Sequence, residues 1–141
     1  MAEKAIEPFP FNTVDELKDY YTVHGFKVDQ GMRMSLAELK SEKDKTAVKG
    51  VISTFYKPWL ESITLKFQAL IEKDANIFTK QQAFKEDETY VLFVDAFRYE
   101  LAEQFSKRMQ QYQYKVDLQN GWSAIPSLTP TAKPNVSPIT S

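Results

Sequence analysis

Tyr90-Val91-Leu92-Phe93-Val94-Asp95-Ala96-Phe97-Arg98-Tyr99-Glu100 is the stretch on which the fold reading turns. Its first five residues form a short unbroken apolar run rich in β-formers, the pattern of a strand covered on both faces in an α/β sheet. Asp95 closes the run. Phe97, Leu101, Phe105 and Met109 then recur at steps of four, with Glu100, Glu103, Lys107 and Arg108 between them. That spacing predicts an amphipathic helix of about four turns. Downstream, Tyr114, Val116 and Leu118 alternate with Gln113, Lys115 and Asp117, which suits a second strand exposed on one face. Asn120-Gly121 turns the chain. The predicted fold class is therefore α/β: strand-helix-strand units opening a parallel sheet over 88–141, preceded by a helical region over 1–87.

Upstream of the run, residues 74–87 are polar and linker-like, and Val48, Ile52, Phe55, Trp59, Ile63, Phe67 and Leu70 lie three or four apart. They make one apolar stripe on a helix, with a kink or restart predicted near Tyr56–Trp59 because Pro58 lacks an amide donor and crowds the preceding turn. The stripe reads first as a core-facing surface and second as a docking surface for a partner. Nearer the N-terminus, Thr13 with Glu16 fits a capping box and predicts a short helix over Val14–Val23, ended by His24-Gly25. Phe26–Met34 reads as an irregular connection, and Ser35 with Glu38 as a second capping box opening a polar helical segment.

Composition narrows the function classes. The 141 residues carry 18 Lys and Arg against 19 Asp and Glu, a formal net charge of -1, so no global basic field advertises nucleic acid. Lys57, Lys66 and Lys73 lie between apolar positions and read as solvated. With no cysteine, thiolate metal sites, disulfides and cysteine nucleophiles are excluded. No signal-peptide core or membrane-length apolar run is present, and a cytoplasmic protein is the expectation.

The residues that can carry chemistry sit at the end of the apolar run. A carboxylate at the carboxyl end of a buried strand, just before a helix start, can hold a cation in the crevice that α/β sheets leave there. Asp is also a common helix cap, so Asp95 alone reads as cap or ligand. About thirty residues later comes Ile125-Pro126-Ser127-Leu128-Thr129-Pro130-Thr131-Ala132-Lys133-Pro134, in a segment rich in Pro, Ser and Thr that composition alone assigns to a linker.

The pairing of V-D-A-F-R-Y-E (94–100) with I-P-S-L-T-P-T-A-K-P (125–134) resembles the PglZ domain of bacterial phage-defence (BREX) systems, a relative of alkaline phosphatases. The resemblance covers residues 88–138, and 50–75 loosely. It implies a metal-dependent hydrolase of phosphate or sulfate esters, using a divalent ion, zinc first and manganese or magnesium as alternatives. Asp95 matches the metal-binding Asp and Thr129 the position that is both metal ligand and nucleophile, with Thr131 second in line. A hydroxyl needs such a cation to act as a nucleophile near neutral pH. Arg98 fits the D-x-x-R pattern and would position an anionic substrate or pair with a nearby carboxylate; Lys133 lies in the matched block.

Two ligands are too few for a catalytic zinc site, which takes about three protein ligands plus water. The core thus reads as incomplete within this chain, and the chain by itself is expected to be inactive. The alternative reading is a non-catalytic interaction module serving partner proteins of a defence or signalling complex. Neither a membrane nor nucleic acid is an indicated partner.

Overall fold

The computed structural model describes residues 9, 11–73, 90, 92, 94–122, 128 and 130. Helix α1 spans Val14–Tyr20 and begins as its capping box predicts. The Glu16 amide donates to Thr13 Oγ1 at 3.2 Å, while the Glu16 carboxylate reaches back to accept the Asn12 amide at 2.7 Å. The first bond satisfies an amide left over at the helix start, and the second holds the residue before the N-cap, where a full capping box would bond the amide of Thr13 itself.

The chain does not stop at His24-Gly25. It widens into a π-helical turn, Tyr21–Gly25, and runs straight on into α2, Phe26–Ala37. The connection predicted over Phe26–Met34 is thus helical, and Ser35, predicted to open a helix, lies inside the end of one. Its Oγ donates to the Gly31 carbonyl at 2.7 Å instead of capping. Gly25 ends no helix because its φ is ordinary, -61°; its smallness serves packing. A Cβ there would stand 2.7 Å from Tyr21 Cδ2. Since the Tyr21 hydroxyl is also bonded to Asp29, the ring cannot swing away without losing that bond. Gly25→Ala is expected to cost about 1–3 kcal/mol, the usual range for overpacking, measurable by urea unfolding. A loss below a few tenths would show the ring free to move.

Helix α3, Glu42–Ile71, is 30 residues long and passes through Pro58 without a break. Proline removes one intrahelical bond here, but Thr54 and Pro58 are both exposed, so water can satisfy the vacated carbonyl. From the predicted stripe, Ile52, Trp59, Ile63 and Leu70 are buried. Trp59, Ile63 and Leu70 meet Phe11, Val14, Leu17, Tyr20 and Val28 in the main core, which lies between α1, α2 and α3.

The predicted α/β fold is corrected by the structure: among the described residues there are helices and no strand. Tyr90, Leu92 and Val94, the described part of the apolar run, are exposed, Leu92 at 87%. An apolar run becomes a strand only when a neighbouring strand takes its amides and carbonyls, and none is present among the described residues to do so. The second predicted strand fails for a local reason. Helix α4, Tyr99–Gln111, ends with Gln113 at φ 64°. The Tyr114 amide donates to the Met109 carbonyl at 3.2 Å and the Gln113 amide to that of Gln110 at 2.9 Å. Those two bonds are a Schellman cap, so the first residues of the alternating segment finish a helix.

Helix α4 also turns its faces opposite to expectation. Glu100 and Ser106 are buried, whereas Phe97 and Phe105, at 46% and 55%, are exposed. The helix docks on α2 through polar and aromatic contacts. Tyr99 meets Phe26 edge-on at 5.5 Å, and Arg33 Nη2 donates to Gln104 Oε1 at 2.8 Å.

Candidate functional site

The motif around Asp95 divides in two. Val94 to Phe97 is exposed, and Asp95 sits in a turn where its Oδ1 accepts the Ala96 amide at 2.9 Å. Ala96 takes up a left-handed φ of 53°. Arg98 is the N-cap residue of α4, extended at φ -67° and ψ 151°, and Glu100, two residues on, is fully buried. Sequence reasoning placed Asp95 at the end of a strand and Arg98 and Glu100 in the helix after it; the structure has that helix from Tyr99 and, among the described residues, no strand before it. Thr129, Thr131 and Lys133 lie outside the described residues.

Arg98 is drawn into a charge cluster that the sequence reading only half anticipated. Its Nε stands 2.9 Å from Glu100 Oε1, and its Nη2 lies 3.4 Å from Asp29 Oδ1. The contact with Glu100 is close but not an aligned hydrogen bond, so it acts as charge attraction. Arg33 stands 4.0 Å from the same Glu100 oxygen. Asp29 further accepts hydrogen bonds from the Tyr56 hydroxyl at 2.6 Å and from the Tyr21 hydroxyl. Two arginines thus balance two buried carboxylates. Pairing with Glu100 was expected as an alternative for Arg98; pairing with Asp29, 69 positions away, was not.

Asp29 escaped the sequence reading because Phe26–Met34 was read as irregular, which hides any helical register. The register itself is unusual. Residues eight apart on an α-helix lie about 80° out of line at 3.6 residues per turn. The wider π turn between Tyr21 and Asp29 absorbs roughly one residue, which brings both side chains to the same face. No sequence signal marks a π turn here beyond the Tyr21 and Gly25 pair that packs inside it.

The cluster sets the ionisation of its phenols. Burial, then the hydrogen bond to Asp29 and its negative charge, pushes Tyr56 up to about 12, and the same causes hold Tyr21 higher still. For Arg98 burial works to lower the pKa, but the charges of Glu100 and Asp29 outweigh it and raise it. Both tyrosines therefore remain donors through the physiological range. Phenols ionise at about 10 in the unfolded chain, so their contribution is whole below about pH 10 and is lost as pH rises through 12. Helix content followed against tyrosinate absorbance should show alkaline unfolding in that window. Asp29→Asn should let Tyr56 ionise nearer its ordinary value; unchanged titration would show that Asp29 is not the cause.

Beside the cluster opens a cavity of about 610 Å³ whose walls include Tyr21, Asp29, Tyr56, Trp59, Phe67, Arg98 and Trp122. Phe67 and Trp122 stack at 5.1 Å with their planes 15° apart. The segment following α4 thereby closes back onto α3.

The metal expectation can be tested against the donors. Among the described residues no group of three or more His, Cys, Asp or Glu side chains could hold a metal ion. Asp95 is accompanied in its turn by apolar residues and Arg98, while the clustered carboxylates Asp29 and Glu100 are committed to arginines and tyrosines. The described residues by themselves therefore do not make a divalent site. Among them, too, no helix is long and apolar enough to cross a membrane. Neither a family model, a curated protein nor a solved structure matches the chain.

Proposed function

We propose that this chain is part of a PglZ-type hydrolase of phosphate or sulfate esters, related to alkaline phosphatases and acting in the cytoplasm in bacterial phage defence. The observation that carries the reading is the ordered pair of sequence blocks, Val94-Asp95-Ala96-Phe97-Arg98-Tyr99-Glu100 and Ile125-Pro126-Ser127-Leu128-Thr129-Pro130. In this reading Thr129 is the nucleophile and Asp95 a ligand of the divalent ion. Arg98 and Glu100 have a structural duty, fastening the start of α4 to Asp29 and so fixing the turn that carries Asp95. Substrate positioning by Arg98 is disfavoured because two carboxylates already surround its guanidinium.

Hydrolysis of p-nitrophenyl phosphate and p-nitrophenyl sulfate with zinc or manganese tests the reading on the protein as its gene encodes it. Thr129→Ala and Asp95→Ala are each expected to lower turnover on the order of 10³-fold or more, as loss of a nucleophile or its activator does. Helix content should stay unchanged. Full turnover in both variants would end the reading.

The alternative is a non-catalytic interaction module. It is favoured by α4 and the turn before it, which expose Phe105 and Phe97 in contact with each other while Glu100 is buried, an apolar patch left for contact.

A further inference from the structure

Helix α3 carries a second apolar seam that packing among the described residues leaves uncovered. Val51, Phe55, Pro58, Ser62, Leu65 and Ala69 recur at alternating steps of four and three, the spacing of a coiled-coil seam. All six are exposed, Val51 at 60% and Leu65 at 58%. At 3.6 residues per turn the seam lies about 100° round the helix from Ile52, Trp59, Ile63 and Leu70. It is therefore a separate face from the one that enters the core, and ester hydrolysis makes no use of it.

The charges beside the seam say what covers it. Lys57 and Glu61 lie on one flank, a turn apart, and both are exposed. Neither forms an ion pair among the described residues. Against a parallel copy in register, Lys57 would face Lys57 and Glu61 would face Glu61. An antiparallel copy related by a twofold axis beside Pro58 reverses this, because each Lys57 then faces the Glu61 of the other chain. The same axis sets Val51 opposite Leu65 and Ala47 opposite Ala69. At the two ends it brings Asp44 towards Lys73 and Lys43 towards Glu72, all four of them exposed. A single register thus matches apolar with apolar and each charge with its opposite, and it repeats every contact twice, as a self-complementary interface does. We propose that α3 pairs antiparallel with α3 of a second copy of this chain about that axis, forming a homodimer. The proposal does not depend on the hydrolase reading.

Sedimentation equilibrium on the whole chain reads the mass. Twice the chain mass is expected at about 100 µM, a micromolar Kd being what a seam of this size supports. Leu65→Glu, at an exposed position, should return the monomer with helix content unchanged. Lys57→Glu alone should weaken the dimer about tenfold or more, since it sets like charges together at two symmetric places. Adding Glu61→Lys should bring the affinity back to nearly that of the unaltered chain, because the exchanged charges again face their opposites. A parallel pair, or contact through another face, gives no such rescue. A monomer at that concentration, whether the seam is covered by other segments of this chain or by a different protein, would overturn the proposal. So would a dimer indifferent to Leu65→Glu, or a double variant no tighter than Lys57→Glu.

Discussion

Arg98→Ala is expected to destabilise the folded chain by about 3 kcal/mol, the lower end of the range for breaking a buried ion pair. The loss comes less from the arginine than from what it leaves behind. Glu100 is 0% exposed and Asp29 5%, and Arg98 is the cation nearest to both, at 2.9 Å and 3.4 Å. Without it Glu100 keeps only Arg33 at 4.0 Å, and Asp29 keeps two neutral phenols. Solvent reaches the half-exposed guanidinium, which screens the pair and places the estimate at the low end. Arg98→Lys should recover only part, because an ammonium cannot address two carboxylates from one planar fork. Adding Glu100→Gln to Arg98→Ala should recover more, since it removes the stranded charge. Urea unfolding of the unaltered chain, Arg98→Ala, Glu100→Gln and the double variant gives the coupling directly. A loss under about 1 kcal/mol, the value of a surface pair, would show that the cluster is solvated and not a fastening.

Trp59→Ala is expected to cost about 3–5 kcal/mol, the range for truncating a large buried aromatic. Trp59 sits in the core among Leu17, Ile63 and Val28, and its ring meets Tyr56 at 5.8 Å, so the substitution empties space that α1 and α3 cannot both fill. Against a typical stability of about 5–15 kcal/mol, much of the population would unfold, and circular dichroism with a thermal melt would show it. The same experiment separates the two readings of the apolar stripe on α3. Retained folding with loss of a partner would assign Trp59 to docking; loss of folding assigns it to the core.

The chain's helical regions were legible wherever the deciding forces were local. The capping box at Thr13 and Glu16 acts within one turn, and its Thr13 half appears in the structure as the sequence implies, while the Glu16 carboxylate reaches the Asn12 amide instead of that of Thr13. The α3 stripe was equally readable at Ile52, Trp59, Ile63 and Leu70, because helical periodicity holds whatever the helix packs against. His24-Gly25 misled because glycine is an ending signal in sequence, whereas here it makes room for the Tyr21 ring. The candidate site was half legible: its carboxylate and arginine were singled out, but the partner Asp29 was not, since it depends on the register of a π turn.

By itself the sequence determined that residues 14–20, 42–71 and 99–111 would carry helix, that no thiol chemistry is available, and that Glu100 stands within reach as a partner for Arg98. Tertiary structure alone decided which face of α4 is buried, and it chose the face bearing Glu100, because Arg98 and Arg33 compensate a carboxylate there. It also decided that Tyr90, Leu92 and Val94 make no strand. Helix hydrogen bonds close within a segment and can be read from it, whereas a strand's must be completed by another part of the chain, which no run of residues specifies about itself.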